Sequence, residues 1–431
     1  MSGTAQPARP PRGRRRQLAG LLLAGLLTTG AVTASTGPAG AAPALSSDPL
    51  STTTGGHNTA LVRDLRGDLE SYLSARGEAE HLSAAGLSVS VPGRRASIDL
   101  SAGTTRFGGS RPVSTDSLWQ IGSNTKAFTA VLILQLEAER RVSITDTVGH
   151  WLPQYPQWRD VTIQRLLNMT SGIPSYDEQP AFQAAYAADR RTNFSKERLI
   201  SFVVGAPPTS GYKYSNTNYA LAEMIIETVT RDSYEHQLYN RIIRPLGLRD
   251  LHYRPHLYPP RLTDRQPASY FFAGYLPEMA SLMGQDVSHD TLSWARGAGG
   301  ILATTRAMTV WERTLYGGDL LPAPQRAELF SLVSTATGLP IQRTSSADPS
   351  GFGLGVQQVT DPRLGTFWVY EGGTFGVRSL HVYLPDSGVI FAFALNSQPT
   401  HSELPTLLVT LYDTLVRHGV VPAAPAPATR A

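Results

Sequence analysis

The sequence predicts an α+β protein in which one sheet, built from both ends of the chain, carries a helical insertion. Two observations lead to this prediction. Strand-like runs lie near the start of the chain, at Leu87–Val91 and Ala96–Leu100, and recur in its last quarter. Between them, residues 145–299 consist mostly of helical segments interrupted by proline and glycine. We therefore expect a discontinuous domain with a mixed sheet, formed by residues 57–144 and 300–418, beside a mostly helical region.

The individual elements follow from hydrophobic periodicity and turn residues. Leucines spaced four apart predict a helix over Asn58–Arg76, and Pro92-Gly93 separates the first two strands. An unbroken apolar run from Ala127 to Leu136 predicts a buried helix that begins near Ser123. Helices in the insertion are predicted at Thr162–Met169, Ser195–Val204, Asn218–Thr230 and Tyr234–Ile243. The late strands are predicted at Phe352–Thr360, Thr366–Tyr370, Val377–Leu384 and Val389–Leu395, followed by a helix at Glu403–Arg417.

Both ends of the chain have the composition of segments outside the folded domain. Residues 1–41 hold five arginines, an apolar stretch at Leu18–Ala34, and small residues at Ala39-Gly40-Ala41. This order predicts a secretory signal peptide, and an uncleaved membrane anchor is the alternative. Residues 42–56 are predicted to be a flexible leader, and the Ala/Pro-rich residues 419–431 a disordered tail. We expect export by a Sec or twin-arginine signal, a secreted or cell-wall location, and no stable membrane span after cleavage.

Composition excludes several classes of function. The chain of 431 residues has a formal charge of +4, and without the five N-terminal arginines this falls to −1, so no nucleic-acid partner is expected. The absence of cysteine excludes disulfides, thiolate metal sites and a cysteine nucleophile. His252 and His256 are separated by Pro255, which argues against a helical metal pair, and no dinucleotide or P-loop motif is present. No metal and no organic cofactor is expected.

A serine and a lysine three residues apart open the predicted buried helix. At a helix start, Ser123 would lie among unpaired backbone N–H groups, and Lys126 would lie on the same face one turn away. A partly buried lysine can take or relay the serine proton. The alternative is a capping serine with a snorkelling lysine. Ser210 and Lys213 show the same spacing, but they follow two prolines and are predicted to lie in a loop.

Two further segments could complete a catalytic site. Tyr214 precedes a predicted helix and could shuttle a proton, because an adjacent ammonium favours its phenolate, while Asn216 could bind a substrate amide or Lys126. A packed tyrosine and a helix-capping asparagine are the alternative. Glu371-Gly372-Gly373-Thr374 ends a predicted strand, where the glycines permit close approach by a ligand. The backbone N–H groups of Ser123 and Thr374 could then bind an oxyanion; a simple hairpin turn is the alternative.

Together these motifs resemble the serine penicillin-recognising hydrolases, in particular class C β-lactamases, D-alanyl-D-alanine carboxypeptidases and related esterases. The order Ser-x-x-Lys, Tyr-Ser-Asn and Gly-Gly is similar, and the resemblance covers about residues 85 to 396. Further similar segments are Leu118–Ala130, Leu166–Pro174, Pro245–Leu248 and Ala298–Thr305. The resemblance implies a β-lactamase/transpeptidase-like fold, an antiparallel sheet flanked by helices with an all-helical region beside it and the site in the cleft between them.

The resemblance implies an exported hydrolase that forms an acyl-enzyme on Ser123. Lys126 and Tyr214 would share the acid and base roles, with their order left open, and Asn216 would position the substrate. The family usually has Lys or His at the first position of the third motif, where this chain has Glu371. A glutamate there would repel a substrate carboxylate unless a cation such as Arg378 neutralised it.

Three functions therefore remain open on the sequence. The first is a serine hydrolase of D-alanyl peptides or β-lactams, the second an esterase or D-amino-acid amidase or peptidase without β-lactam activity, and the third a non-catalytic penicillin-binding sensor. The expected partner is a small-molecule or peptide substrate, cell-wall peptide included.

Overall fold

The computed structural model describes residues 54–400 and 403–422, with side chains from residue 59 onward. The predicted signal peptide, most of the leader and most of the tail lie outside the described residues. Two boundaries differ from prediction. The first helix begins at Thr54, inside the predicted leader, and Val421, inside the predicted tail, is buried against the core. None of the helices within the described residues combines the length and apolar character needed to cross a bilayer.

The centre of the fold is a nine-stranded sheet in the order β2-β1-β13-β12-β11-β10-β9-β7-β8. All its neighbouring strands run antiparallel. The mixed sheet predicted from the strand pattern is therefore wrong, and the antiparallel sheet implied by the resemblance is confirmed. Strands of the first and last parts of the chain meet where β1 pairs with β13. The strands of this sheet are β1 Ala84–Ser90, β2 Ile98–Gly103, β7 Leu332–Ser334, β8 Pro340–Ile341, β9 Ser350–Phe352, β10 Gln357–Asp361, β11 Gly365–Gly373, β12 Arg378–Leu384 and β13 Val389–Leu395.

Helices cover both faces of the sheet. The leucines of α1 and α13 pack on one face, and Trp311 of α11 and Phe128 of α2 belong to the core on the other. This two-sided cover explains why all seven residues of β13 are buried. The helices are α1 Thr54–Glu80, α2 Thr125–Ala138, α3 Val148–Trp151, α4 Ile163–Leu167, α5 Pro180–Ala188, α6 Lys196–Ser201, α7 Asn216–Thr230, α8 Tyr234–Leu238, α9 Pro260–Thr263, α10 Arg296–Gly299, α11 Thr305–Gly317, α12 Ala323–Leu329 and α13 Leu404–Arg417.

Two small sheets connect the helical region to the main domain. One pairs β14 (Ser397–Pro399) with β5 (Tyr270–Phe272), and the other contains β3 (Trp119–Gln120), β6 (Ile301–Ala303) and β4 (Leu251–Tyr253). Helices are the main regular elements of residues 145–299, which also contain two short strands, β4 and β5, that the sequence did not indicate.

One predicted strand is wrong. The run Phe352–Thr360 forms the end of β9 and most of β10, separated by a turn at residues 353–356. Gly355 in this turn has φ +78° and lies so close to α2 that an added Cβ would be 2.8 Å from the Lys126 carbonyl oxygen. The break therefore lets the sheet approach α2, the helix that carries Lys126. The α+β fold class is confirmed.

Candidate active site

Ser123 lies in a short 3-10 turn, Gly122–Asn124, that leads into α2. The turn packs tightly against the end of β11, because an added Cβ on Gly122 would lie 2.7 Å from the Gly373 oxygen and 2.8 Å from its nitrogen. Gly122 also has φ +51°, which a glycine adopts without strain. Ser123 is therefore presented at the end of a central strand of the main sheet, where it contacts Tyr214 of the helical region.

Lys126 is fully buried beneath Ser123. Its Nζ lies 3.0 Å from Ser123 Oγ, and it donates to Asn216 Oδ1 and to the Ala298 carbonyl oxygen, both at 2.7 Å. Burial lowers the pKa of Lys126 well below its usual value, and the nearby Asp177 carboxylate opposes part of this shift. A neutral amine with two hydrogens donated has one lone pair left, which faces the serine hydroxyl.

Tyr214 completes the contact on the other side of the serine. Its Oη lies 2.5 Å from Ser123 Oγ, and Lys126 Nζ lies 4.7 Å from its ring centre. Burial, together with the Asp177 and Glu371 carboxylates, raises the pKa of Tyr214, although its contacts with Ser123 and Tyr370 lower it in part. The expectation that an ammonium favours a phenolate is therefore wrong, since burial disfavours both charged forms. Burial therefore favours Tyr214 as a protonated phenol, a form that can donate a proton.

Asn216 begins α7 and reaches Lys126, one of the two partners that the sequence offered it. Its backbone N–H donates to Ser175 Oγ over 2.8 Å, and Ser175 in turn donates to Asp177. The sequence reasoning missed both Ser175 and Asp177. The one available signal was their position, because they directly follow the family-like segment that ends at Pro174.

The third motif lies at the end of β11, but one residue out of the expected register. Tyr370 and Gly372 share the strand face turned toward the nucleophile: Tyr370 interacts with Tyr214, and Gly372 abuts the Ser123 turn. Tyr370, rather than Glu371, therefore occupies the position beside Tyr214. Glu371 lies on the alternate face, near enough for its charge to act on Tyr214 and on Tyr275.

The prediction that Thr374 supplies an oxyanion donor is also off by one residue. Its N–H donates to the Val377 carbonyl oxygen over 2.9 Å, which closes the hairpin between β11 and β12, and its hydroxyl donates to Gln120. Along an antiparallel pair of strands, opposed residues alternate between hydrogen-bonded and non-hydrogen-bonded pairs. Thr374 is hydrogen-bonded to Val377, so the next pair, Gly373 and Arg378, is not, and Gly373 directs its N–H away from β12. Because β10 pairs with β11 only as far as Trp368, that N–H faces the open edge beside Ser123. Gly373 and Ser123 are the pair of backbone donors placed for an oxyanion.

Arg378 does not act as the neutralising cation for Glu371. It is fully buried, pairs with Glu80 of α1 at 2.9 Å and donates to the Ser397 carbonyl oxygen at 2.7 Å. The second Ser-x-x-Lys match also lies apart from the site. Ser210–Lys213 is irregular, as predicted, and Lys213 pairs with Glu178 at 2.8 Å.

Replacing Gly372 by alanine is expected to separate β11 from the nucleophile turn. The new Cβ would lie 1.9 Å from the Ile121 carbonyl oxygen and 2.6 Å from Asn124 Nδ2, and the first of these is backbone that cannot rotate away. We expect a loss of about 1–3 kcal/mol in the free energy of unfolding and slower labelling of Ser123 by a fluorophosphonate. Gly67→Ala is the control, because an added Cβ meets nothing within 4 Å there. Equal labelling rates in the two variants would contradict this packing account.

The chain matches a family model and several known proteins. The Beta-lactamase family model matches residues 69–411. Penicillin-binding protein 4* of Bacillus subtilis is 26% identical over 300 residues, which are 67% of this chain and 62% of that protein, so the chain spans less than two thirds of that relative's length. A D-stereospecific amidohydrolase from Streptomyces sp. superposes with a TM-score of 0.67 and 27% identity, covering 82% of this chain and 98% of that one. D-amino acid amidase from Ochrobactrum anthropi has a TM-score of 0.69 at 20% identity, covering 83% and 99% of the two chains, and shares the fold.

Proposed function

This chain belongs to the Beta-lactamase family of serine hydrolases, and on that premise we propose that it cleaves amides or peptides that carry a free ammonium group, through an acyl-enzyme on Ser123. The observation that carries the proposal is the convergence of Lys126 Nζ and Tyr214 Oη on Ser123 Oγ, at 3.0 and 2.5 Å. The likeness to a D-stereospecific amidohydrolase at 27% identity supports amide substrates.

In the proposed mechanism the neutral Lys126 amine takes the Ser123 proton as Oγ attacks the substrate carbonyl carbon. The carbonyl π electrons move to its oxygen, which the N–H groups of Ser123 and Gly373 stabilise. The carbon–nitrogen bond then breaks, and Tyr214 delivers a proton to the leaving amine; the proton taken up by Lys126 replaces it. In deacylation a water oxygen attacks the acyl carbon and gives its proton to Tyr214, whose own proton passes to Lys126. The carbon–Oγ bond then breaks, the carboxylic acid leaves, and Lys126 returns the proton to Ser123 Oγ.

The preference for an ammonium group rests on charge. Asp177 and Glu371 both act on Tyr214 and on the half-exposed Tyr275, so two carboxylates contribute negative charge at the mouth of the site. Arg378, the sequence candidate for a balancing cation, is committed to Glu80. A substrate carboxylate, such as that of a β-lactam or a D-alanyl terminus, would be repelled, and an α-ammonium would be attracted.

A substrate panel tests this proposal. We expect D-phenylalanine amide to be hydrolysed with a kcat/KM at least about tenfold above that of its N-acetyl derivative, of a D-alanyl-D-alanine peptide and of a cephalosporin, a difference of about 1.4 kcal/mol. Asp177→Asn should reduce this preference, and Asp160→Asn, at an aspartate whose side chain is 88% exposed, should leave it unchanged. Equal kcat/KM for the free and acetylated amides would contradict the ammonium preference.

The same panel separates the enzyme from a sensor. Intact mass after incubation should show a transient adduct on Ser123 and released product. A permanent penicillin adduct with no turnover of any amide or ester would instead indicate a binding protein. Export remains part of the proposal and rests on residues 1–41, which lie outside the described structure.

A further inference from the structure

A buried polar cluster adjoins the nucleophile turn without taking part in the proposed chemistry. It consists of Asn124, His381 of β12, and Glu312 and Tyr316 of α11, all at most 4% exposed. His381 Nδ1 lies 2.6 Å from Asn124 Oδ1 and 3.2 Å from Glu312 Oε1, and His381 Nε2 lies 2.9 Å from Tyr316 Oη. Asn124 directly follows Ser123, so the cluster contacts the segment that carries the nucleophile.

The hydrogen bonds fix the protonation of the imidazole. The Ile121 carbonyl oxygen can only accept, so the Asn124 atom at 2.9 Å from it is the donor Nδ2. Asn124 therefore turns its acceptor Oδ1 toward His381, whose Nδ1 must carry the hydrogen. Nε2 is then an acceptor, and the Tyr316 hydroxyl donates to it.

Burial keeps the cluster uncharged. Neither carboxyl oxygen of Glu312 has a hydrogen-bond partner of good geometry among the described residues, and burial raises its pKa well above the usual value. Burial also lowers the pKa of His381 to about 3. Two other ionisable groups contact Tyr316: Tyr383, stacked with its ring at 5.0 Å, and Arg326, which donates to its backbone carbonyl oxygen. Glu312 as a neutral acid and His381 as a neutral imidazole are the forms that this environment favours.

We propose that His381 is a positioning residue for acylation of Ser123. Its Nδ1–H holds the Asn124 amide, and that amide holds the Ile121 carbonyl at the base of the nucleophile turn. Ser379 strengthens the same point, since its Oγ accepts from Asn124 Nδ2 and donates to Ile121, each at 2.9 Å. Loss of the Nδ1–H donor frees Asn124 to rotate and lets the turn shift relative to Lys126, Tyr214 and the N–H of Gly373. This role goes beyond the proposed substrate preference and requires only that Ser123 is the nucleophile.

The tautomer is tested in the unmodified protein. In nitrogen-15 histidine spectra of the folded enzyme, the His381 signals, assigned by their loss in His381→Gln, are expected to show a protonated Nδ1 and an unprotonated Nε2 from pH 6 to 8. An Nε2–H tautomer or an imidazolium in that range would overturn the proposal.

Two variants of similar size test the positioning. His381→Gln keeps an N–H donor, whereas His381→Met has none. We expect His381→Met to slow fluorophosphonate labelling of Ser123 and to lower kcat by about tenfold to a hundredfold, as small misplacements of a nucleophile do, with little change in KM. His381→Gln should stay within about threefold of the wild type. Equal rates for the two variants would overturn the positioning role.

A third variant keeps the test decisive if His381→Met does not fold. Tyr316→Phe removes the hydroxyl that donates to Nε2 and thereby supports the Nδ1–H tautomer, so it is expected to lower the labelling rate; an unchanged rate would overturn the proposal. Because labelling reports Ser123 alone, failure of the positioning role is distinguishable from failure of the amide-substrate proposal.

Discussion

Ser123→Ala is expected to reduce amide turnover by about 10⁴-fold or more while the protein remains folded. The hydroxyl is the common partner of Lys126 Nζ and Tyr214 Oη, and no other group in the proposed mechanism can form the acyl-enzyme. Lys126 keeps its bonds to Asn216 and to the Ala298 carbonyl oxygen, so the loss should fall on chemistry rather than on stability. Rates on D-phenylalanine amide, intact mass after fluorophosphonate treatment and thermal unfolding measure the three parts of this expectation.

The chain supplies a matched control in its second Ser-x-x-Lys segment. Ser210 has the same spacing to Lys213 that Ser123 has to Lys126, but it lies in an irregular segment, and Lys213 pairs with Glu178. Ser210→Ala should therefore retain full turnover and full labelling. Substantial activity in Ser123→Ala, or loss of activity in Ser210→Ala, would show that Ser123 is not the nucleophile.

Much of the site could be predicted because its residues belong to short sequence motifs. A serine and a lysine three apart at a helix start must share a face, and the convergence of Tyr214 and Asn216 on them followed from resemblance over a long stretch of chain. The discontinuous sheet domain was predictable for a similar reason, since its strands have strong apolar runs at both ends of the sequence.

The register of the third motif could not be read in the same way. Two adjacent glycines leave open which one faces the nucleophile turn, and only the packing of Gly372 against Ile121 decides it. A shift of one residue in the register exchanges the two faces of a strand. It places Tyr370 rather than Glu371 beside Tyr214, and it makes Gly373 rather than Thr374 the oxyanion donor. The Arg378–Glu80 pair was equally invisible, because its members are 298 residues apart in sequence.

Protonation states could be predicted from the sequence only in part, because they depend on burial: a buried lysine that takes the serine proton was expected, but a neutral Tyr214 was not. Proximity of a tyrosine and a lysine suggests a phenolate and an ammonium, yet with both side chains removed from water the favoured forms are a phenol and an amine. This reversal indicates Lys126 as the base that accepts the serine proton, a choice that the residue pattern left open.

Lys126→Met is expected to lower kcat by about 10³-fold or more and to change how stability depends on pH. In the unfolded chain Lys126 has its usual pKa of 10.5, and in the folded protein burial depresses that pKa strongly. Between the two values the unfolded state binds one more proton than the folded state, so the free energy of unfolding rises with pH by about 1.4 kcal/mol per unit. The buried lysine therefore destabilises the folded state by an amount that grows as pH falls toward the folded-state pKa and disappears as pH rises above the usual value of 10.5.

The methionine variant lacks this proton, so the difference in unfolding free energy, wild type minus Lys126→Met, should increase from pH 7 to pH 9. Denaturant unfolding at several pH values measures it, and Lys213→Met is the control, because the Lys213 side chain remains 25% exposed and paired with Glu178. The wild-type kcat/KM should fall on the acid side as Lys126 gains its proton. A difference that stays flat or decreases toward pH 9 would show that the folded protein holds Lys126 as an ammonium, and the base role would then pass to another group.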